Sequence, residues 1–450
     1  MDPKVEQLGK GKISKLLLNY ALPAIIATTA SSLYNIIDRI FIGQGVGPMA
    51  ISGLTLTLPI MNLAIAFGTL VGAGASAMVS IRMGQKRRAD AIRILGNALT
   101  LNIILGISFS IVSLIFLDEI LLLFGASSQT LPYAREFMQI ILVANVIPHV
   151  FYGLNNVMRA SGYPAKAMFS ILLTIAINII LAPIFIFVLK LGIKGAAMAT
   201  VIAQTVGMIW VLAHFFSRKP YIHFRFSGFK LKRKIVIDIF AIGMSPFAIH
   251  VAASVVSIIT NLELSKYGGD YSIGAYGIIG SIGMLVVMVV LGLTQGMQPI
   301  VGFNYGSKQY KRVTDTLILT IIWASIISFI GFFGSMIFPK AIARAFTTDQ
   351  TLISVTTHGM RITMAVFFVV GFQITVSSFF QYIGKAKTAI FLSLSRQVLF
   401  LIPLLLILPL FYGLDGVWVA LPASDLLATI ITTFILFYYK NKLAQKSSMS

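Results

Sequence analysis

Long, uninterrupted apolar stretches dominate this chain, and short polar segments separate them. A helix needs roughly 20 residues to cross the hydrocarbon core of a bilayer, and each stretch reaches about that length or exceeds it. The pattern therefore predicts an all-α polytopic membrane protein with twelve transmembrane helices. The stretches lie at about 15–39, 49–81, 93–117, 131–157, 166–189, 195–216, 235–264, 273–303, 312–338, 351–380, 388–411 and 416–439.

Composition supports the membrane interpretation. Hydrophobic residues make up 57% of the chain and charged residues only 11%, whereas an average soluble domain carries about 25% charged residues. The mean hydropathy is +0.91, which excludes a disordered chain because disorder requires low hydrophobicity. The net charge of +21 would suggest a nucleic-acid partner in a soluble protein. Here no folded module that reads nucleic acid accompanies the charge, so we expect no nucleic-acid partner.

The basic residues predict how the chain lies in the membrane. If the amino terminus is placed inside, 26 of the 35 Lys and Arg fall on the inner side. Cytoplasmic loops carry such an excess, so we expect a bacterial inner-membrane protein with both termini cytoplasmic. The middle loop at 217–234 is then a cytoplasmic basic linker. It is either a solvated connector or a segment that also binds anionic headgroups of membrane lipids.

The two halves of the chain repeat each other. Short landmarks recur in the same order at separations of 221 to 223 residues, which is difficult to attribute to chance. The paired landmarks are Pro23 with Pro246, Gly84 with Gly306, Lys86 with Lys308, Gly162 with Gly384 and Gly192 with Gly413.

This repeat predicts the domain organisation. Six spans in each half give both halves the same orientation, as in transporters built from parallel repeats. We expect a cytoplasmic segment at 1–14, a six-helix lobe at 15–216, the linker at 217–234, a second six-helix lobe at 235–440 and a cytoplasmic tail at 441–450. A substrate site at the interface of the two lobes, with alternating access by rocking, follows as an expectation.

Several local motifs resemble those of the MATE (multidrug and toxic compound extrusion) family, nearest its DinF-like bacterial branch. The resemblance covers about residues 12–440, and each motif alone is loose. The motifs are YNIIDRIFIG at 34–43, the segment 68–84, RASG at 159–162, NIILAP at 178–183, GAAMAT at 195–200 and QGMQP at 295–299.

The resemblance implies two pseudo-symmetric six-helix lobes in a V-shaped arrangement. It also implies a non-enzymatic antiporter that exports amphipathic or cationic compounds in exchange for H⁺ or Na⁺. A lipid-linked oligosaccharide flippase of the same superfamily is the first alternative, and a membrane enzyme scaffold is a further one. We expect small amphipathic or cationic compounds and membrane lipids as partners, and a monomeric protein.

Asp38 is the leading candidate for ion coupling. It lies two-thirds of the way through the first span and matches the acid that the family carries there. A carboxyl group inside the membrane is costly and marks function by default. The alternative is an interfacial salt bridge with the neighbouring Arg39, because residue 38 is near the outer end of the span. Asn155, Asn178 and Thr200 match polar positions of the same lobe, and their oxygens suit Na⁺ coordination or a hydrogen-bond relay. Interhelical hydrogen bonding would use the same residue types.

One position departs from the family pattern. Many relatives carry an acid before the proline of the fifth span, where this chain has Ala182 before Pro183. Only one of two expected carboxylates is therefore present, and a site with a single carboxylate would hold Na⁺ weakly. We accordingly expect H⁺ rather than Na⁺ as the coupling ion, with Na⁺ at Asp38 and Asn178 as the alternative.

The second half offers a candidate substrate cavity. Asp425 and Arg396 lie inside the last two predicted spans, and a buried arginine needs an acidic or carbonyl partner, so we expect them to pair. Glutamine side chains add polar groups to an otherwise apolar cavity. The predicted cavity residues are Gln295, Gln298, Gln373, Arg396 and Asp425.

The sequence supplies no signature of other chemistry. It contains no Cys, and its five His form no HExxH pattern. It also lacks a GxxxxGK[ST] phosphate-binding loop, which argues against ATP-driven transport within this chain. We therefore expect no cofactor and no bound metal other than a coupling Na⁺.

Overall fold

In the computed structural model, residues 3–46, 48–124 and 126–448 are described, so the ends of the predicted terminal segments lie outside the described residues. This part of the chain is almost entirely helical. Short π-helical turns at Ile184–Val188 and Ser395–Leu401 extend two of the helices. The α-helices are α1 Pro3–Lys10, α2 Ile13–Gly45, α3 Pro48–Gly84, α4 Arg88–Ile115, α5 Leu117–Leu123, α6 Leu131–Val143, α7 Val146–Ala160, α8 Pro164–Pro183, α9 Gly192–Phe216, α10 Arg233–Gly306, α11 Tyr310–Ile337, α12 Pro339–Phe346, α13 Gln350–Thr363, α14 Val370–Tyr382, α15 Ala386–Leu394 and α16 Ile402–Ser448.

The helices account for the predicted membrane spans. Among the described residues, nine helices are long and apolar enough to cross a membrane, and two bent helix pairs raise the number to eleven. One of the nine is the 54-residue stretch Ala386–Tyr439, which at 1.5 Å per residue would be about 80 Å long. It breaks at Gly413, where φ is 56°. Counted as two spans, this stretch brings the total to the predicted twelve.

The backbone confirms the internal duplication at the positions that the sequence pairs. Lys86 and Lys308 both adopt a positive φ, 59° and 63°, which is uncommon for a residue with a side chain. Gly162 and Gly384 do so as well, and Gly192 and Gly413 match at 59° and 56°. Equivalent turns and breaks therefore lie at equivalent positions of the two halves.

The chain divides into two compact units. Unit 1 consists of Met1–Lys10 and Ile26–His250, and unit 2 of Gly11–Ile25 and Val251–Ser450. The division differs from the predicted lobe boundaries at two places. The first part of α2 packs within unit 2, and the first part of α10, up to His250, packs within unit 1.

Glycines explain why the start of α10 belongs to unit 1. The helix crosses α3 so closely that a Cβ added to Gly243 would lie 1.7 Å from the Leu70 carbonyl oxygen. A Cβ added to Gly74 would lie 2.1 Å from the Ile239 carbonyl oxygen. Only glycine permits two helix backbones to approach to this distance.

Unit 2 contains the equivalent crossing, made by α2 and the last part of α10. A Cβ added to Gly296 would lie 2.4 Å from the Ala21 Cα, and one added to Gly292 would lie 2.6 Å from the Ile25 Cα. Gly296 is the repeat counterpart of Gly74. Each sequence half therefore contributes the start of its first long helix to the unit built mainly from the other half.

The middle loop packs onto α4 as part of unit 1. Asn97 on α4 donates hydrogen bonds to the carbonyl oxygens of Gly228 and Lys230, at 2.9 and 3.1 Å, and accepts one from the Lys232 amide. Arg88 donates to the Tyr221 carbonyl oxygen at 2.7 Å. These bonds fix the path of the linker and hold the entry to α10 beside the start of α4.

Candidate functional site

Asp38 and Tyr34 share one face of α2 in unit 1. They are four residues apart, which places side chains one above the other on an α-helix. The Asp38 charge acts directly on the Tyr34 hydroxyl, and the Asp38 Oδ1 atom is buried. The first predicted coupling residue is thus half-buried, with one buried carboxylate oxygen and a phenol as its neighbour.

Asn178 and Thr200 complete this cluster. The Asn178 side-chain amide on α8 donates to the Thr200 hydroxyl on α9 at 3.0 Å. The Tyr34 hydroxyl is hydrogen-bonded to both side chains. Asn178 is only 2% exposed, so its amide is enclosed by the three helices. Three predicted residues are therefore brought together, with Tyr34 as the link between Asp38 and the other two.

Asn155 makes a different set of contacts. Its side-chain amide donates to the Ala167 carbonyl oxygen at 2.9 Å and to the Ser170 hydroxyl at 2.8 Å. Ser170 lies eight residues before Asn178 on α8, which corresponds to about 12 Å along the helix. These bonds tie α7 to the first turns of α8, as expected for interhelical hydrogen bonding.

Two tyrosines of this region carry no sequence-based prediction. Tyr34 joins the cluster directly, and Tyr152 interacts electrostatically with it while hydrogen-bonding to Gln204. The four-residue spacing of Tyr34 and Asp38 is visible in the sequence. It could have identified Tyr34, whereas the position of Tyr152 depends on how α7 and α9 pack.

Ala182 lies one helical turn beyond Asn178. It is completely buried and belongs to an apolar cluster that includes Ile42, Ile186 and Ala196. The position at which many relatives carry an acid therefore belongs to the hydrophobic core. The cluster around Asp38 has one carboxyl group, and apolar packing bounds it on this side.

Unit 2 contains a second buried polar group, formed by Arg396 and Asp425. The Arg396 guanidinium donates to the Asp425 carboxylate, which confirms the predicted pairing. The side chain of Asp425 is 5% exposed and that of Arg396 is 33% exposed. Arg396 lies in the π-helical turn Ser395–Leu401, a local widening that is frequent at functional sites.

The surroundings of this ion pair are also polar. The Gln373 amide and the Thr429 hydroxyl donate to the Asp425 carbonyl oxygen, at 3.3 and 2.6 Å. Tyr276 interacts electrostatically with Arg396 and lies beside the Thr260 hydroxyl. The contact between residues 373 and 425 repeats, with an offset of 221, the contact between Tyr152 and Gln204 in unit 1.

The remaining predicted cavity residues lie on the last part of α10. Gln298 is buried and Gln295 is partly buried, on either side of Gly296 along the chain. Gly296 packs against Ala21 at the helix crossing of unit 2. The two glutamines therefore flank that crossing along the helix. Their role in a cavity stays a prediction.

The two clusters differ in the chemistry they can support. The cluster at Asp38 has a carboxyl group together with phenol, amide and hydroxyl oxygens, which can accept and release a proton or coordinate a small cation. In the other cluster the carboxylate is already neutralised by an arginine. Within the described residues, no group of three or more His, Cys, Asp or Glu side chains could hold a metal ion.

The sequence of this chain is similar to those of known proteins. The MatE family model matches the chain twice, over residues 23–184 and 246–407. A multidrug export protein, MepA, of Staphylococcus haemolyticus (strain JCSC1435) is 27% identical over 98% of this chain and 97% of its own length. MepA of Staphylococcus aureus (strain MRSA252) is 25% identical over 99% of this chain and 98% of its own.

Solved structures agree with the fold. The MATE multidrug transporter DinF-BH, in complex with a dye, is 37% identical, with a TM-score of 0.88 over 94% of this chain and 95% of its own. A MATE structure in complex with MaL6 superposes with a TM-score of 0.92 over the full length of both chains, at 23% identity. The twice-repeated match and these superpositions lead to one conclusion: this multi-pass helical membrane protein belongs to the MatE family.

Proposed function

We propose that this protein is a secondary active exporter of amphipathic or cationic compounds, and that proton exchange at Asp38 drives it. The observation that carries the proposal is the polar cluster of unit 1. There a single membrane-embedded carboxyl group lies beside Tyr34, which is hydrogen-bonded to Asn178 and Thr200. The names of the MepA relatives and of DinF-BH, all export proteins or transporters, support the transport activity.

The composition of the cluster favours H⁺ over Na⁺. Na⁺ would gain a carboxylate, the Asn178 Oδ1 atom and hydroxyl oxygens as ligands. Ala182 lies in an apolar cluster, at the position where many relatives carry an acid. A second carboxylate, which would offset the cost of desolvating Na⁺, is therefore missing there. A proton needs only the Asp38 carboxyl group and a route for hydrogen bonds, for which Tyr34 and Thr200 provide hydroxyls.

The chemistry of unit 2 and the names of the relatives support the proposed substrate class. A largely apolar cavity that accepts amphipathic cations needs only a few polar side chains. Gln373 and the Arg396–Asp425 pair would supply them. The DinF-BH transporter is known in complex with a dye. We infer that bulky cationic dyes are transported by the present protein, together with other amphipathic compounds.

The flippase alternative is weaker in view of the ion pair. A lipid diphosphate would require free cationic side chains inside the membrane, and Asp425 already neutralises Arg396. The enzyme-scaffold alternative gains nothing from the comparisons, because the relatives are named as export proteins. We further propose a monomer in the bacterial inner membrane with both termini cytoplasmic, as the distribution of Lys and Arg predicts.

The test is dye transport by the purified full-length chain in proteoliposomes. A pH gradient or a Na⁺ gradient is imposed separately, and movement of a fluorescent rhodamine dye is followed by fluorescence. We expect a pH gradient to drive transport and a Na⁺ gradient to have little effect. Replacing Asp38→Asn removes the ionisable group with little change in shape, so we expect it to abolish pH-driven transport.

A matched variant controls for the loss of an acid as such. Asp415→Asn removes an exposed carboxylate that pairs with His358 at 2.7 Å, and we expect it to transport normally. Equal transport by Asp38→Asn and the unaltered protein under a pH gradient would exclude Asp38 as the coupling residue. Transport driven only by Na⁺ would instead support the alternative ion at the same cluster.

A further inference from the structure

Unit 1 contains a pocket that the transport mechanism does not use. Its volume is about 200 Å³, and it lies where three helices have their ends. These are the end of α3, the start of α4 and the start of α10. Since a water molecule occupies about 30 Å³ of liquid volume, the pocket has room for a phosphate group and several waters.

The lining of this pocket has a surplus of positive charge. Five cationic side chains face two carboxylates, a formal excess of three positive charges. The charged lining residues are Arg82, Arg87, Arg93, Lys232, Lys234, Asp90 and Asp238.

Local ion pairs neutralise only part of this charge. Arg87 and Arg93 contact the Asp90 carboxylate at 2.6 and 3.6 Å. Within the described part of the chain, no ion pair within 4 Å joins Arg82, Lys232 or Lys234 to an acid. The charges of these three cations are therefore not neutralised by an ion pair, although the Arg82 Nη1 atom also donates a hydrogen bond to the Gln85 Oε1 atom at 2.9 Å. Asp238 is the other charged group of the lining.

Backbone geometry adds to the attraction for an anion. The pocket lies at the amino-terminal ends of α4, which begins at Arg88, and α10, which begins at Arg233. The first N–H groups of a helix lack intrahelical partners and carry partial positive charge. Two such ends beside one pocket add to the positive field of the side-chain cations.

The position of the lysines is fixed by the fold rather than left to a mobile loop. The Lys232 amide donates to the Asn97 Oδ1 atom at 2.9 Å, and the Thr100 hydroxyl donates to the Phe229 carbonyl oxygen at 3.1 Å. Gly96 packs against Gly228 so closely that an added Cβ would lie 2.4 Å from that backbone. The linker is thus held on α4, and it carries Lys232 into the pocket.

Two charged positions of this pocket differ at the equivalent corner of unit 2. The repeat places Asn304 at the position of Arg82 and Arg312 at the position of Asp90. Arg312 donates to the Asn304 Oδ1 atom at 3.1 Å and to the Gly11 carbonyl oxygen at 2.6 Å. Arg312 is thus satisfied by internal hydrogen bonds, whereas Arg82 and Asp90 of unit 1 line the pocket.

We propose that this pocket binds a phosphate group, taken either from an anionic lipid headgroup or from a free phosphate in solution. Arg82, Lys232 and Lys234 supply the positive charge, and the starts of α4 and α10 supply backbone donors. The ends of three membrane-spanning helices lie at the level at which lipid headgroups are found, on the side that the basic residues predict to be cytoplasmic.

The test measures binding to the purified full-length chain in neutral detergent by titration calorimetry. The probes are inorganic phosphate, dihexanoyl phosphatidylglycerol and zwitterionic dihexanoyl phosphatidylcholine. Saturable binding of phosphatidylglycerol without competition from phosphate assigns a lipid headgroup. Binding of inorganic phosphate that competes with the lipid assigns a site for free phosphate as well, and both results support the proposal.

Matched variants locate the binding. The triple variant Arg82→Gln, Lys232→Gln, Lys234→Gln should weaken binding at least on the order of tenfold, because each nearby cation contributes to headgroup attraction. The control, Arg218→Gln, Lys219→Gln, Arg225→Gln, removes the same charge from exposed linker positions outside the pocket. It should bind nearly as well as the unaltered chain.

A single substitution covers the case in which the triple variant does not fold. Asp238→Asn removes a carboxylate from the lining and should tighten binding. The proposal is overturned if both triple variants weaken binding equally, which indicates diffuse charge attraction. Failure of every probe to bind, or weaker binding by Asp238→Asn, would also overturn it.

Discussion

Asp38 and Asp425, the two carboxyl groups of the candidate clusters, have different neighbours. Asp38 lies beside a phenol linked to an amide and a hydroxyl, while Asp425 is held by the guanidinium of Arg396. A carboxylate that must take up and release an ion cannot be permanently paired with a cation. The pairing with Arg396 therefore favours a structural or gating role for Asp425, while the hydroxyl and amide neighbours of Asp38 suit the coupling role that we propose for it.

The ion pair of unit 2 should behave as a coupled unit. Asp425→Asn leaves the largely buried Arg396 without its charge partner. We expect a loss of roughly 2 kcal/mol, less than the roughly 3–5 kcal/mol of a fully buried pair, since the Arg396 side chain is 33% exposed. The double variant Arg396→Gln, Asp425→Asn should recover most of this loss. Thermal unfolding of the purified protein in detergent measures both.

The exposed pair of His358 and Asp415 is the control for this comparison. Asp415→Asn should change stability by at most about 1 kcal/mol, as surface ion pairs do. If the double variant at 396 and 425 is no more stable than Asp425→Asn alone, the two side chains do not act as a pair.

Among the helices, α2 and α10 each contribute to both packing units. The changeovers fall after Ile25 and after His250, each within a few residues of a proline, Pro23 or Pro246. Proline removes one backbone hydrogen bond and weakens the helix locally. These weak points lie beside glycine-mediated crossings that hold each helix start firmly in its unit.

The crossing of α3 and α10 should tolerate no added side chain. In Gly243→Ala the new Cβ would lie 1.7 Å from the Leu70 carbonyl oxygen, and overpacking of this kind costs about 1–3 kcal/mol. Gly334→Ala, within α11, meets no atom within 4 Å and should gain up to about 1 kcal/mol in helix propensity.

Thermal unfolding distinguishes these two glycine variants by the sign of the change in melting temperature. We expect the melting temperature to fall for Gly243→Ala and to stay level or rise for Gly334→Ala. A melting temperature of Gly243→Ala equal to that of the unaltered protein would contradict the close helix crossing.

For the molecule as a whole, the duplication and the distribution of charge together define a membrane protein. Equivalent turns carry equivalent positive φ values in both halves, and each half contributes an even number of predicted spans. The surplus of Lys and Arg on one side then predicts the orientation for both halves at once.

Cysteine labelling can check this orientation, because the chain contains no native Cys. Lys219→Cys lies in the linker predicted to be cytoplasmic, and Lys340→Cys lies in a segment predicted to be outside; both positions are exposed. A membrane-impermeant maleimide should label Lys340→Cys in intact cells. It should label Lys219→Cys only after permeabilisation, and the opposite result would reverse the predicted topology.

The membrane class, the spans, the repeat and the family could all be predicted from the sequence, because they depend on composition, period and local turn residues. The partnership of Arg396 with Asp425 was predictable too, since two opposite charges inside a membrane must find each other. Tyr34 could have been found from its spacing to Asp38. These features are local or are imposed by the solvent.

The choice of which helices pack together emerges only from the folded chain. The assignment of the starts of α2 and α10 to their units depends on backbone approach at Gly74, Gly243 and Gly296, which no sequence periodicity encodes. The hydrogen bonds of Asn155 and the burial of Ala182 likewise depend on neighbouring helices. The positive pocket joins residues of α3 and α4 to the far end of the linker, and folding alone brings charges so distant in sequence together.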